Sequence, residues 1–421
     1  MIYEIATRSE AVLHMLIAVA RKELLLLRAN GNSEVLSDDC SIRHYSSALI
    51  VVRKFLNGLD DINELDTILV TIYLMVLYEQ KSGDGDGAAL SAHLQGLASI
   101  IRDQVRNTTA VISESLVSSG TEPEAEASSS KKPLLLGSFT LFAVRMLEWI
   151  CFMDACASSF GIGGDFNGTI RDLFNKSDHN SDLNTAGHAQ VLRGFVTTME
   201  SYSYQLPCSF WGTTYPIEEI LDDLATDELY ILYGTSVQLR YLVSGMFVTG
   251  ASASQNLQQN VDRAFLEVMD HHARLFVLAN QMTSDFDITK SAIRETRFII
   301  PHYYAALLFY FSCTSQQKTQ THRHELAVKT IMRLALQAFQ AEGHQAMIRI
   351  AWPLFMIMIE TEDEFYREWA SSQLSAISVY GKNYSRAVLS ARSFHAERRR
   401  HGDEASLPKH LLKAEFGHFF I

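Results

Sequence analysis

Five cysteines are scattered over 421 residues, at Cys40, Cys151, Cys156, Cys208 and Cys313, and no two form a C-x-x-C pair. That spacing excludes a clustered-thiolate zinc module in this sequence. An odd number spread through helical sequence fits reduced core thiols, not a disulfide framework. Proline is scarce, at seven residues, so helices can run long without lost hydrogen bonds or ring clashes. Strand signals are nearly absent: Ile68, Ile72, Met75 and Val76 recur at helical spacing and do not alternate. Positive charge is in deficit, with 36 Lys and Arg against 48 Asp and Glu for a net charge of -12. Such a chain has no overall attraction for nucleic-acid phosphates. Long apolar runs are missing too. Ala305 to Phe311 and Pro353 to Ile359 fall far below the ~20 residues that cross a bilayer. No basic segment leads into an apolar one at the start, so no signal peptide is expected. The sequons at Asn107, Asn167 and Asn383 carry no weight without secretion.

What remains is helix. At 47% hydrophobic the chain can bury a large core. Periodicity predicts helices at 9–30, 44–57, 64–81, 88–105, 137–160, 185–203, 224–248, 255–280, 288–313, 322–341, 345–360, 363–380 and 384–400. No sustained heptad array or 34-residue repeat is present. The expected architecture is all-α: antiparallel helix hairpins around an extended core, in one domain over residues 1–405 with a C-terminal tail at 406–421. A Ser-, Glu- and Ala-rich insertion at 107–133 is nearly empty of large apolar groups, and disorder is expected there. It lacks the aromatic or leucine clusters that alternate with acids in activation segments.

Motifs of recognised chemistry mostly fail on inspection. Gly83-Asp84-Gly85-Asp86-Gly87 suggests calcium, but Ala88 and Gln95 stand where oxygen ligands are needed. Asp178 to Asp182 fails in the same way at Leu183 and Ala189. Gly161-Ile162-Gly163-Gly164 follows a helix and lacks the third glycine of a dinucleotide fingerprint. His322-Arg323-His324-Glu325 has Val328 where a zincin needs its second histidine. Asp60-Asp61-Ile62-Asn63-Glu64 and Asp222-Asp223 with Asp227-Glu228 resemble magnesium-diphosphate motifs, but both precede apolar helices. There, carboxylates favour the N-terminal end of the dipole. No cofactor or metal is therefore expected.

The stretch from Trp352 to Arg400 carries the most information. Pro353 suits a first helical turn, Thr361 and Glu364 have capping-box spacing, Gly381 can end a helix in the left-handed conformation, and Asn383 can cap the next. This stretch, with Arg367 and Trp369, resembles the C-terminal signature of the fungal-specific transcription factor domain, the regulatory region of zinc binuclear cluster proteins. Thr67 to Glu79 followed by His93-Leu94-Gln95-Gly96 is similar to the family's early motif. Arg145 to Trp149 leading to Asp154 is similar to its central one. The ordered set spans about Ser9 to Arg400.

The resemblance implies an all-α, nuclear transcriptional regulator acting through protein partners or a small-molecule effector. The family's DNA-binding module needs six closely spaced cysteines, which this sequence lacks, so no strong direct DNA binding is expected. Helical sequence begins almost at Met1, and the module is expected to lie outside this sequence or to be missing. Glu79, His93, Arg145 and Asp154 are the polar residues of the family-like motifs, and Trp149, Trp352, Arg367 and Trp369 accompany them. They are either pocket groups that recognise a metabolite or buried, mutually satisfied groups that fix helix register, with the tryptophans as core anchors. Arg398-Arg399-Arg400 reads as complementing a helix dipole or as a localisation patch. The alternative is a helical enzyme acting on a hydrophobic metabolite in secondary metabolism.

Overall fold

The computed structural model describes residues 1–29, 38–55, 62–83, 85–119, 139–177, 188–248, 255–283, 290–314, 321–402 and 405–421. Among these there is no strand, and the chain is all-α. The first half comprises α1 (Ile2–Ala6), α2 (Glu10–Ala29), α3 (Asp39–Phe55), α4 (Ile62–Ser82), α5 (Ala88–Ser119), α6 (Leu141–Ser158), α7 (Asp165–Ser177) and α8 (His188–Trp211). The second comprises α9 (Ile217–Val248), α10 (Gln255–His271), α11 (Ala273–Gln281), α12 (Ser291–Cys313), α13 (Thr321–Glu342), α14 (Ala351–Glu360), α15 (Glu364–Ala376), α16 (Lys382–His401) and α17 (Leu407–Lys413).

Helix α12 is the axis of the second half. From Phe298 to Phe311 every residue except His302 is buried, as befits a helix that is apolar all round. It packs most extensively on α9 and α13, and also on α14 and α17. In the first half α2 pairs with α3 and rests on α4, which in turn meets α5 and α6. Contacts of α6 with α8 and α9 join the two halves into one continuous apolar core.

Several local expectations are corrected. Helix α5 continues to Ser119, so the insertion expected from 107 begins no earlier than 120, and its remainder lies outside the described residues. The single helix expected at 255–280 is broken at His272, whose carbonyl accepts from the amides of Leu275 and Phe276. Helix α15 is capped by Asp363, which accepts from the Phe365 and Tyr366 amides at 2.8 and 3.2 Å, while Thr361 accepts from Asp363 N. The helix start expected at Thr361 is thus shifted by two residues, and no reciprocal box forms because Tyr366 holds the third helical position. Gly381 has an extended φ of 177°, not the left-handed one. Asn383 lies inside α16 and donates its Nδ2 to the Phe420 carbonyl at 2.9 Å.

The stretch 406–421, set apart in sequence as a tail, is packed into the body. Phe419 and Phe420 are buried against Phe160. The glycine loop before α5 holds this strap: Gly85, at φ 95°, accepts from His418 N at 2.7 Å, and Gly83 accepts from Arg386, which also bonds the His418 carbonyl. The loop that suggested calcium is therefore a clasp for the C-terminal segment.

Candidate functional site

Two of the sequence-selected residues, Glu79 on α4 and His93 on α5, meet through a third. The Tyr45 hydroxyl lies 2.6 Å from His93 Nε2 and also bonds the Glu79 carboxylate. Burial pulls His93 down to about 4, and burial followed by the Glu79 charge raises Tyr45. At neutral pH the imidazole is uncharged, so Nε2–H donates to the tyrosine oxygen and the tyrosine O–H donates to Glu79. The chain of bonds ties α3 to α4 and α5.

Arg145 and Asp154 serve separate junctions, although one helix carries both. Arg145 Nη1 lies 3.0 Å from Glu148 and 3.6 Å from Glu200 of α8, and Ser203 donates to Glu148 at 2.7 Å. Two nearly buried carboxylates thus share one guanidinium. Burial first, and the Glu148 carboxylate second, raise Glu200 well above the usual carboxylate range, which keeps a proton between the two acids. Trp149 packs on Tyr73, its ring centroid 5.7 Å from the Arg145 guanidinium.

Asp154 is fully buried and accepts from Gly164 N at 2.8 Å, Asn167 N at 2.9 Å and Asn167 Nδ2 at 2.8 Å. It caps α7 from the neighbouring helix. Burial raises its pKa and these three bonds oppose the rise. Gln238 of α9 completes the joint by donating to Asn167 Oδ1. A Cβ on Gly163 would collide with the Asp154 carbonyl at 2.5 Å, which explains the glycine run there as a tight corner.

Trp352 is 1% exposed. The Arg240 guanidinium stacks 3.4 Å from its ring centroid, Phe355 stacks at 5.4 Å and Phe309 meets it edge-on at 5.5 Å. Arg240 in turn donates to Ser159 Oγ and to the Cys156 and Ile421 carbonyls. Trp369, expected to be largely buried, is only partly so and touches Phe339 edge-on.

Arg367 lines a cavity. A half-open cleft of about 650 Å³ lies between α13, α16 and the loop joining α14 to α15, within the size range of small-molecule sites. Phe311, Val328 and Tyr366 supply apolar wall. At its floor Glu360, 5% exposed, accepts from Ser312 Oγ at 2.7 Å and lies 3.1 Å from His324 Nε2. His324 was singled out for metal, but it pairs with Glu360 while Glu325 pairs with Lys329.

Arg367, His395 and Arg398 line the same cleft beside the acids Glu362 and Asp363. Arg367 donates to the Thr361 carbonyl at 2.8 Å, Arg398 to the Ile359 carbonyl at 3.2 Å, and His395 bonds the Met358 carbonyl. These groups satisfy the carbonyls at the C-terminal end of α14 and complement its dipole. The carbonyls are neutral, so both guanidinium charges persist. Burial, then Arg367, Arg398 and Arg399, pull His395 below its usual pKa, against the Met358 bond. One arginine of the Arg398 to Arg400 run thus faces the cleft, while Arg399 and Arg400 are exposed.

Only the second acidic motif lies fully within the described residues. Asp222 and Asp223 sit in the second turn of α9, not at its start as expected, and accept from Ser291 and Tyr215. The first-turn acids are Glu218 and Glu219. Asp60, Asp61 and the segment Asp178 to Asp182 lie outside the described residues. The fold brings Glu228 beside two histidines not singled out from the sequence, His271 and His272. Their ligand atoms lie within 4.8 Å of one another. The adjacent histidines were the signal available, but their partner is 43 residues away on another helix.

No curated protein and no solved structure matches the chain. The family model described as the fungal specific transcription factor domain matches residues 1–392. That match covers nearly the whole chain and all eight residues followed above, so the chain belongs to the fungal specific transcription factor domain family and has a transcriptional regulatory role.

Proposed function

We propose that the chain is the regulatory part of a nuclear transcription regulator, read by a helical partner protein and biased by a small molecule in the Arg367 cleft. Sequence recognition on DNA is left to another chain or module. The observation that carries this reading is an apolar stripe on α2. Leu13, Ile17, Ala20, Leu24 and Leu27 are all exposed, and their alternating spacing of four and three residues is that of a coiled-coil seam. Ile42, Leu49 and Ile50 of α3 are exposed as well. An exposed apolar stripe of this kind marks a docking site, and the spacing suits an amphipathic helix.

The cleft supplies a second input. Its walls belong to α13, α14, α15 and α16, so a ligand that fits one arrangement of these helices better than another shifts the population toward it. The polar residues Glu79, His93, Arg145 and Asp154 are engaged in joints between helices, which supports the regulatory reading.

Binding measurements on the purified chain test the division of labour. Fluorescence anisotropy with duplex DNA at physiological salt should give only weak, salt-sensitive association, since a chain of net charge -12 neutralises few phosphates. Promoter occupancy in cells should depend on a partner and be lost with Leu24→Glu. Tight, sequence-selective binding by the isolated chain would overturn the proposal.

A further inference from the structure

We propose that Glu228, His271 and His272 form a zinc-binding site that clamps α9 to the corner between α10 and α11. The inference goes beyond the regulatory reading, because neither the cleft nor the α2 stripe includes these residues.

The corner creates the geometry. Neighbouring residues in a continuous helix project about 100° apart, so adjacent histidines do not normally share a ligand. Here α10 ends at His271, and His272 adopts φ -97°, ψ 25° before α11 starts. Backbone bonds hold the corner on both sides: His272 N donates to the Val268 carbonyl at 3.1 Å, and the His272 carbonyl accepts from Leu275 N at 2.9 Å. The break brings the two imidazoles together, perpendicular at 86° with centroids 4.8 Å apart. Glu228 of α9 reaches the same point, its Oε2 3.2 Å from His272 Nδ1.

The chemistry selects the ion. Two imidazoles and one carboxylate, without thiolate, form a donor set for zinc and neighbouring transition metals; magnesium and calcium prefer all-oxygen shells. With bonds of about 2.0–2.1 Å, donor atoms around a tetrahedral zinc stand about 3.3 Å apart. The present spread of up to 4.8 Å therefore closes by small side-chain movements. His272 is buried and fixed, whereas His271 and Glu228 are exposed and free to make them. A water completes the tetrahedron. The loaded site joins residues 43 positions apart, so zinc stabilises the packing of α10 and α11 on α9.

The full chain, stripped with chelator and carrying Cys208→Ser to remove the exposed thiol, should be titrated with cobalt as a spectroscopic probe and then with zinc. One cobalt per chain with intense tetrahedral visible bands, displaced by zinc, is expected. His271→Ala and Glu228→Gln should each weaken binding ~tenfold or more, the scale reached even by loss of outer-shell groups. Both residues are exposed, so both variants should melt like the metal-free parent. Zinc should raise the melting temperature of the parent and not of the variants. A chain that melts cooperatively yet shows neither cobalt bands nor a zinc-dependent rise would overturn the proposal. So would a site that persists unchanged in both variants; Glu228 and His272 would then form an ordinary side-chain pair.

Discussion

Replacing Trp352 and Trp369 by alanine, one at a time, tests where the C-terminal helices are anchored. Trp352 is 1% exposed and lies between the Arg240 guanidinium and two phenylalanine rings. Removing a buried tryptophan costs about 3–5 kcal/mol through lost transfer energy and the cavity left behind. The desolvated cation–π contact adds about 2 kcal/mol, and Arg240 keeps its charge in a place that no longer stabilises it. The sum, about 5–7 kcal/mol, approaches the whole stability of a typical domain, about 5–15 kcal/mol. Trp369, partly exposed and touching a single ring, should cost less than about 3 kcal/mol, below the range for full burial. Urea unfolding followed by circular dichroism measures both, with Trp352→Phe as an intermediate variant that remains folded. Equal losses at the two sites, or a larger loss at Trp369, would refute the reasoning.

Two further outcomes follow from the buried polar joints. Because the Glu200 pKa is raised in the folded chain, its contribution to stability is full below the ordinary carboxylate range and is lost as pH rises through the raised value. Glu200→Gln mimics the protonated acid, so it should gain on the parent steadily in unfolding experiments from about pH 5 toward pH 9; a constant difference would contradict the shared proton. Asp154→Ala removes a helix cap and leaves buried donors unpaired, for a cost of about 3–5 kcal/mol. Faster hydrogen exchange at the Gly164 and Asn167 amides should accompany it.

Much of the fold was legible because α2, α4, α12 and α13 bury apolar residues at plain helical spacing over five turns or more. The break at His272 was not, since neither glycine nor proline marks it and the corner is held by local backbone bonds with Val268 and Leu275 that no residue type announces. The early start of α9 was hidden for a different reason: Glu218, Glu219, Asp222 and Asp223 look like loop, yet the first two suit the positive end of the helix dipole. Short helices α1 and α17 carry too few turns to show a period. For the site, residue types were readable but partners were not. Glu79 and His93 meet only through Tyr45, and Arg367 gains its meaning from Arg398 and from carbonyls of α14 that no spacing rule reveals.

If another module brings this chain to a promoter, the chain should regulate transcription there. The most direct measurement fuses residues 1–421 to an unrelated DNA-binding module and reads a reporter carrying that module's sites. Output should depart from that of the module alone, and Leu24→Glu on the exposed face of α2 should return it toward the module's level without changing protein abundance. A folded, nuclear fusion whose reporter output equals that of the module alone would show that the chain has no regulatory effect of its own.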